Sequence, residues 1–215
     1  MEVLQAALEN ALAGHGRVVL LAGESGIGKT RLTGEFAAFA GRRGARVLLG
    51  RCYEGEGAPL LWPWIQIVRA YVADCDPRLL REELGPGAAV IARVIPEVQE
   101  RLPELSVSPE VEVTQARFRF FDSIVRFLKA ASVKQGQVLI LDDLHWADTS
   151  SLLLLQFITR EIGEAHILVL ATYGDMELGR QRPLVQTVGE MVREPYTQSL
   201  HLERLNEAGR TRLGW

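Results

Sequence analysis

Leu4, Leu8, Ala11 and Leu12 recur at helical spacing and predict a first helix over residues 1–13, closed by Gly14 and Gly16. The period then changes. Residues 17–22 (RVVLLA) are a short continuous apolar run, which predicts a strand covered on both faces. The run enters GESGIGKT at 23–30. Beyond it Leu32, Phe36, Phe39 and Ala40 fall at i, i+4, i+7 and i+8, an amphipathic helix that stops around residues 41–44. A second strand, 45–49 (ARVLL), comes directly after it. Strand, loop, helix and strand make a βαβ unit, the building block of a parallel sheet covered by helices.

The middle of the chain has a different grain. Seven of the nine prolines (Pro59, Pro63, Pro77, Pro86, Pro96, Pro103 and Pro109) lie between residues 59 and 109. That density forbids one long helix and predicts several short ones, so 51–113 reads as a helical insertion beside the sheet. Trp62 and Trp64 are its expected core anchors, with ligand stacking the rarer alternative. Firm helix returns over 114–132, with Phe118, Phe121, Val125 and Leu128 expected on one buried stripe. Its Arg117, Arg119, Arg126 and Lys129 read as a solvated face in preference to a nucleic-acid surface. Three further apolar runs, 138–141 (VLIL), 166–172 (HILVLAT) and 197–202, predict the remaining strands. Helices are expected over 149–162, with Asp148 as N-cap, and over 184–193, closed by Pro195. The residues alone thus predict one α/β domain with five parallel strands over 1–215.

Composition narrows the class of function. The 215 residues are 47% hydrophobic and 24% charged, a balance that excludes a disordered chain. No apolar run approaches the roughly 18–20 residues that cross a bilayer, and the first residues lack a secretory pattern. Cys52 and Cys75 share no metal-ligand spacing, so two reduced thiols in a cytoplasmic protein with no membrane partner are expected. A net charge of −3 argues against direct nucleic-acid binding. Only three of the 24 basic residues are lysines, so a lysine at a fixed place in a motif carries weight.

Gly23, Glu24, Ser25, Gly26, Ile27, Gly28, Lys29 and Thr30 satisfy G-x-x-x-x-G-K-[ST] at every position. Phosphates can be surrounded by main-chain amides only where the chain curls tightly without intervening side chains, and the three glycines allow that curl. The helix after the loop offers unpaired amides at its positive end. Lys29 supplies a point charge for the β- and γ-phosphates, and the Thr30 hydroxyl is a hard ligand suited to Mg²⁺. A chance match in a chain with so few lysines is on the order of one in a few hundred. The expected ligand is ATP with Mg²⁺. The rival is a glycine-rich turn with an exposed lysine.

The strand at 138–141 ends in Asp142 and Asp143. Adjacent carboxylates repel, and a cation resolves the repulsion. Asp142 is the expected metal holder, through water, and Asp143 the group that orients or deprotonates an attacking water; the alternative is a turn capped by Asp143. His145 is expected to pack or support rather than to react, Trp146 to form a wall, and Asp148 to cap a helix.

These segments carry a resemblance. GESGIGKTRL at 23–32, GRCYEGEGAPLLWPW at 50–64, LILDDLHWADTSSLLLL at 139–155 and LATYGDMEL at 170–178 are similar, in the same order, to the AAA-like ATPase module of bacterial STAND regulators (signal-transduction ATPases). That Orc1-like AAA ATPase module occurs in large LuxR-type transcription factors and in multidomain proteins with adenylate cyclase domains. The resemblance implies a three-layer αβα P-loop NTPase of the ASCE type with strand order 5-1-4-3-2. It implies Walker A at 23–30, Walker B at Asp142 and Asp143, and a sensor for the γ-phosphate at 172–175. It also implies slow hydrolysis that resets a switch, with other domains of a larger regulator as partners and nucleotide-dependent self-association.

Three departures accompany it. Gly174 stands where the family commonly has arginine, which removes a cation expected near the γ-phosphate. The segment that usually precedes the first helix, and the lid, winged-helix and effector domains that usually come after the sheet, are expected to be missing from these 215 residues. The leading expectation is therefore an ATP/Mg²⁺ switch module with weak ATPase activity at most. A hydrolysis-deficient scaffold for protein contacts and a DNA-associated AAA+ ATPase are the alternatives, with a small-molecule kinase last.

Overall fold

Strand β1 (Arg17–Gly23) is buried from Val18 onward, as its unbroken apolar run requires. It lies inside a five-stranded sheet of order β2-β3-β4-β1-β5, in which every neighbouring pair is parallel. The computed structural model describes residues 1–55, 57, 59–106, 113–174 and 182–203. Strands β3 (Gln137–Asp142) and β4 (Ile167–Gly174) are buried along their whole length, whereas β2 (Arg46–Arg51) and β5 (Thr197–Leu202) are half-exposed edges. Read from the other edge the order is 5-1-4-3-2, so the implied αβα topology is the observed one.

Successive residues of a strand face opposite sides, and the two cores divide accordingly. Val19, Leu21, Val138, Ile140, Leu168 and Leu170 face a smaller core closed by α1 (Glu2–Leu12) and α2 (Lys29–Arg42). Val18, Leu20, Leu139, Leu141, Val169 and Ala171 face a larger one. That side holds α3 (Trp62–Asp74), α4 (Pro77–Leu84), α5 (Ala88–Val94), α6 (Glu97–Arg101), α7 (Val113–Lys134), α8 (Thr149–Glu161) and α9 (Arg182–Met191). The sheet is the middle layer of three.

Among the described residues the proline-rich stretch forms the short helices α3 to α6, two of them with proline in the first turn. Trp64 anchors them: it is buried and its indole N–H donates to Ser151 O at 3.0 Å. Burying such a side chain contributes about 1.5–3 kcal/mol. Trp62 is only partly buried and lies beneath the Arg69 guanidinium, 5.3 Å from its ring centre. The start of α3 packs hard against β2, because a Cβ at Gly50 would come within 2.2 Å of Pro63 O.

Two expectations need correction. On α7 the buried apolar residues are Phe120, Phe121, Ile124, Val125, Phe127, Leu128 and Ala131, while Phe118 is 61% exposed. Phe118 packs edge-on to Phe157 of α8, with ring centres 5.8 Å apart, outside the core. The second strand begins and ends later than residues 45–49, because pairing with β3 continues to Arg51 opposite Asp142.

Candidate functional site

The glycine-rich loop leaves β1 at the end of the sheet where β3 and β4 also finish. Gly26 (φ 76°) and Gly28 (φ 108°) adopt left-handed backbone, which L side chains rarely tolerate. A Cβ at either would meet no atom within 4 Å, so the backbone conformation selects glycine and the face of the curl stays open. Ile27 N–H donates to Glu24 O at 3.3 Å and closes the turn. Lys29 is the first residue of α2 and is buried; its ammonium donates to Gly23 O at 2.8 Å and to Glu24 O at 3.0 Å. Those bonds use two of its three N–H groups and hold the charge beneath the loop. Thr30 is exposed, and no described side chain caps the start of α2, so first-turn amides remain available to an anion.

Asp142 ends β3 with only 2% of its surface exposed. The buried Thr172 hydroxyl of β4 donates to its Oδ1 at 2.7 Å and accepts the Asp143 N–H at 2.9 Å. One hydroxyl thereby fixes both members of the acidic pair. The other carboxylate oxygen, Oδ2, lies 3.6 Å from Nη2 of Arg51 at the end of β2. Asp143 takes a left-handed conformation (φ 62°, ψ 49°) that turns the chain sharply into a 3₁₀ turn, Leu144–Trp146. Burial and the neighbouring Asp142 push its carboxyl above the ordinary range, against the opposing pull of His145, Lys29 and Arg51. The pull from Lys29 places the loop and the acidic pair in one electrostatic neighbourhood.

The residues beyond the pair behave as supports. His145 is buried and packs 5.1 Å from the Trp146 ring. Trp146, partly exposed, walls a cleft of about 130 Å³ with Tyr53 and Pro59. Asp148 caps α8 by accepting Ser151 N–H at 3.1 Å, and its other oxygen accepts Leu61 N–H at 3.0 Å, tying the start of α3 to α8. Of the expected sensor, Thr172 is engaged by the acidic pair, Tyr173 is buried, and Gly174 lies in register with Gly23; Asp175 lies outside the described residues. Sequence reasoning does not single out Arg51. Its one signal is its place at the end of an edge strand, which acquires meaning once β2 is known to neighbour β3.

Among the described residues no group of three or more His, Cys, Asp or Glu is arranged to hold a metal ion. The buried Asp142 carboxylate and the exposed Thr30 hydroxyl are hard oxygen donors of the kind that fit magnesium, which keeps most of its waters and takes remaining ligands from phosphate. No described helix is long and apolar enough to cross a membrane.

Strand order, curled loop and acidic strand end together define a P-loop NTPase module, a nucleotide-binding fold. Residues 1–170 match the family model of the AAA ATPase domain, and the chain belongs to that family. An uncharacterized protein of Rhizobium meliloti (strain 1021) is 25% identical over 177 residues, a match covering 76% of this chain and 17% of that protein. The chain thus spans about a sixth of the length of this curated relative. Among solved structures, a chain of Drosophila ORC bound to AT-rich DNA and Cdc6 is similar with a TM-score of 0.47 at 13% identity, covering 95% of this chain and 58% of that one. A chain of Drosophila ORC bound to DNA gives 0.46 at 13% identity, covering 98% and 96%.

Proposed function

We propose that the chain is an ATP- and magnesium-binding switch module of a larger signal-transduction ATPase, with slow hydrolysis at most. The observation that carries this reading is the Lys29 ammonium, buried and, among the described residues, hydrogen-bonded to carbonyls of the loop it serves. A buried cation held by carbonyls alone is costly unless an anion completes its shell, and a phosphate above the loop does so. In this reading the 23–30 amides and Lys29 hold the phosphates, while Thr30 and Asp142 hold the magnesium. The metal would screen the phosphate charge. Asp143, its pKa raised, orients a water and accepts its proton as the oxygen attacks the γ-phosphorus; ADP and inorganic phosphate leave.

Other domains of the same protein are the proposed partners, in keeping with the small share of the Rhizobium relative that this chain spans. Nucleotide-dependent self-association and a cytoplasmic setting belong to the same proposal. The Drosophila ORC structures are of ORC bound to DNA. Here the net charge of −3 favours protein over nucleic-acid contacts.

Calorimetric titration with ATP and magnesium tests the reading. Lys29→Ala is expected to lose about 100-fold or more in affinity, as removal of charge-assisted bonds to phosphate dictates, while its circular dichroism stays native. Unchanged affinity in that variant would count decisively against the site. A second reading, a nucleotide-binding scaffold without turnover, is favoured by Gly174, which brings no side chain to the end of β4 opposite Gly23. Phosphate release at the Lys29→Ala background rate would select it.

A further inference from the structure

Asp142 is a buried carboxylate, and burial of a charge must be compensated. The Thr172 hydroxyl serves Oδ1 with a normal hydrogen bond of 2.7 Å. Arg51 faces Oδ2 at 3.6 Å, close enough for an ion pair but longer than a hydrogen bond. The backbone of Arg51 is held firmly. It is the register partner of Asp142 across β2 and β3, and its carbonyl accepts the Gln66 side-chain amide at 2.9 Å. The next residue, Cys52, donates its N–H to Asp142 O at 3.0 Å. The side chain, by contrast, is 46% exposed and has water to move into. A fixed root with a loosely held charged tip is the build of a counter-charge that can be exchanged.

We propose that Arg51 is the displaceable counter-charge of the metal-holding carboxylate: it neutralises Asp142 in the metal-free site and gives way when magnesium arrives with the nucleotide. This rests on the nucleotide reading above and adds a positioning residue to it. Guanidinium and hydrated magnesium compete for one carboxylate face, and the divalent ion, compact and doubly charged, prevails when phosphate supplies its other ligands. Arg51 therefore sets the magnesium concentration at which the site loads.

The test titrates ATP affinity against magnesium, from excess EDTA upward, in the native protein, Arg51→Gln and Arg51→Lys. Removing the competitor in Arg51→Gln is expected to lower the magnesium midpoint about two- to fivefold, the range of a partly exposed ion pair. Arg51→Lys, which keeps the charge, is expected near the native midpoint. Thermal melting in EDTA is expected to show Arg51→Gln less stable than native protein, because Asp142 then lacks its cationic partner. Loss of stability alone would not move the magnesium midpoint downward. A midpoint that stays put or rises in Arg51→Gln, with ATP still bound, overturns this inference and leaves the nucleotide reading intact. Native protein that binds no ATP overturns both.

Discussion

Asp143 carries two costs at once. Its left-handed backbone costs about 1–2 kcal/mol for a residue with a Cβ, although aspartate and asparagine bear it best. Its carboxyl is also pushed above the ordinary range, chiefly by burial and then by Asp142. A carboxyl raised on folding favours the fold when protonated, so stability is fully present below its ordinary pKa of 3.8 and declines as pH rises through the folded value. At neutral pH the ionised group works against the fold. Asp143→Asn keeps the left-handed turn and removes the charge. It is expected to raise the melting temperature at pH 7, with the gain disappearing as pH falls below the carboxylate range, while phosphate release drops to background. Melting curves from pH 3 to 8 and a phosphate assay check both halves; a gain that persists at pH 3 would trace to something other than ionisation. The acidic pair is legible from two letters after an apolar run. The Thr172 hydroxyl that joins its members is not, because 29 and 30 residues of chain separate it from them.

Among the elements, Asp148 does more than the cap that its place before TSSLLLL announces. One oxygen serves the Ser151 N–H, and the other reaches the Leu61 N–H, 87 residues away in sequence. Asp148→Ala removes a cap worth about 1 kcal/mol and orphans a partly buried amide worth about 1–2 kcal/mol more. The expected loss is therefore about 2–3 kcal/mol in denaturant unfolding, and Asp148→Asn, with one acceptor oxygen where aspartate has two, is expected to keep the cap but not the bond to Leu61 and so to recover only part of it; a loss below about 0.5 kcal/mol in Asp148→Ala would show the link to α3 to be idle. The same contrast runs through α7. Helical periodicity predicts the element but misjudges Phe118, since a stripe drawn on one helix cannot tell which edge meets the sheet and which meets Phe157 of α8.

For the whole molecule, the sheet separates a small core under α1 and α2 from a large one under α3 to α9, and both cysteines belong to the large side. Burial, reinforced by Asp143, Asp148 and Asp142, pushes the Cys52 thiol up to about 12, and burial with Glu83 raises Cys75. Both thiols are expected to resist a disulfide reagent at pH 8 in the native state and to react in step with unfolding across a urea series; rapid labelling without urea would contradict the packing. Reduced thiols are consistent with the spacing of the two residues, but their protection is a property of the assembled core. The βαβ start, the phosphate loop, the acidic strand end and the broken helices of the insertion are all written locally, because each of their elements is set by residues that are near neighbours in the chain. The order in which five parallel strands lie side by side is decided by packing across the chain. That order put Arg51 beside Asp142 and Thr172 between the two halves of the site, since strand ends distant in sequence become neighbours only when the sheet is complete.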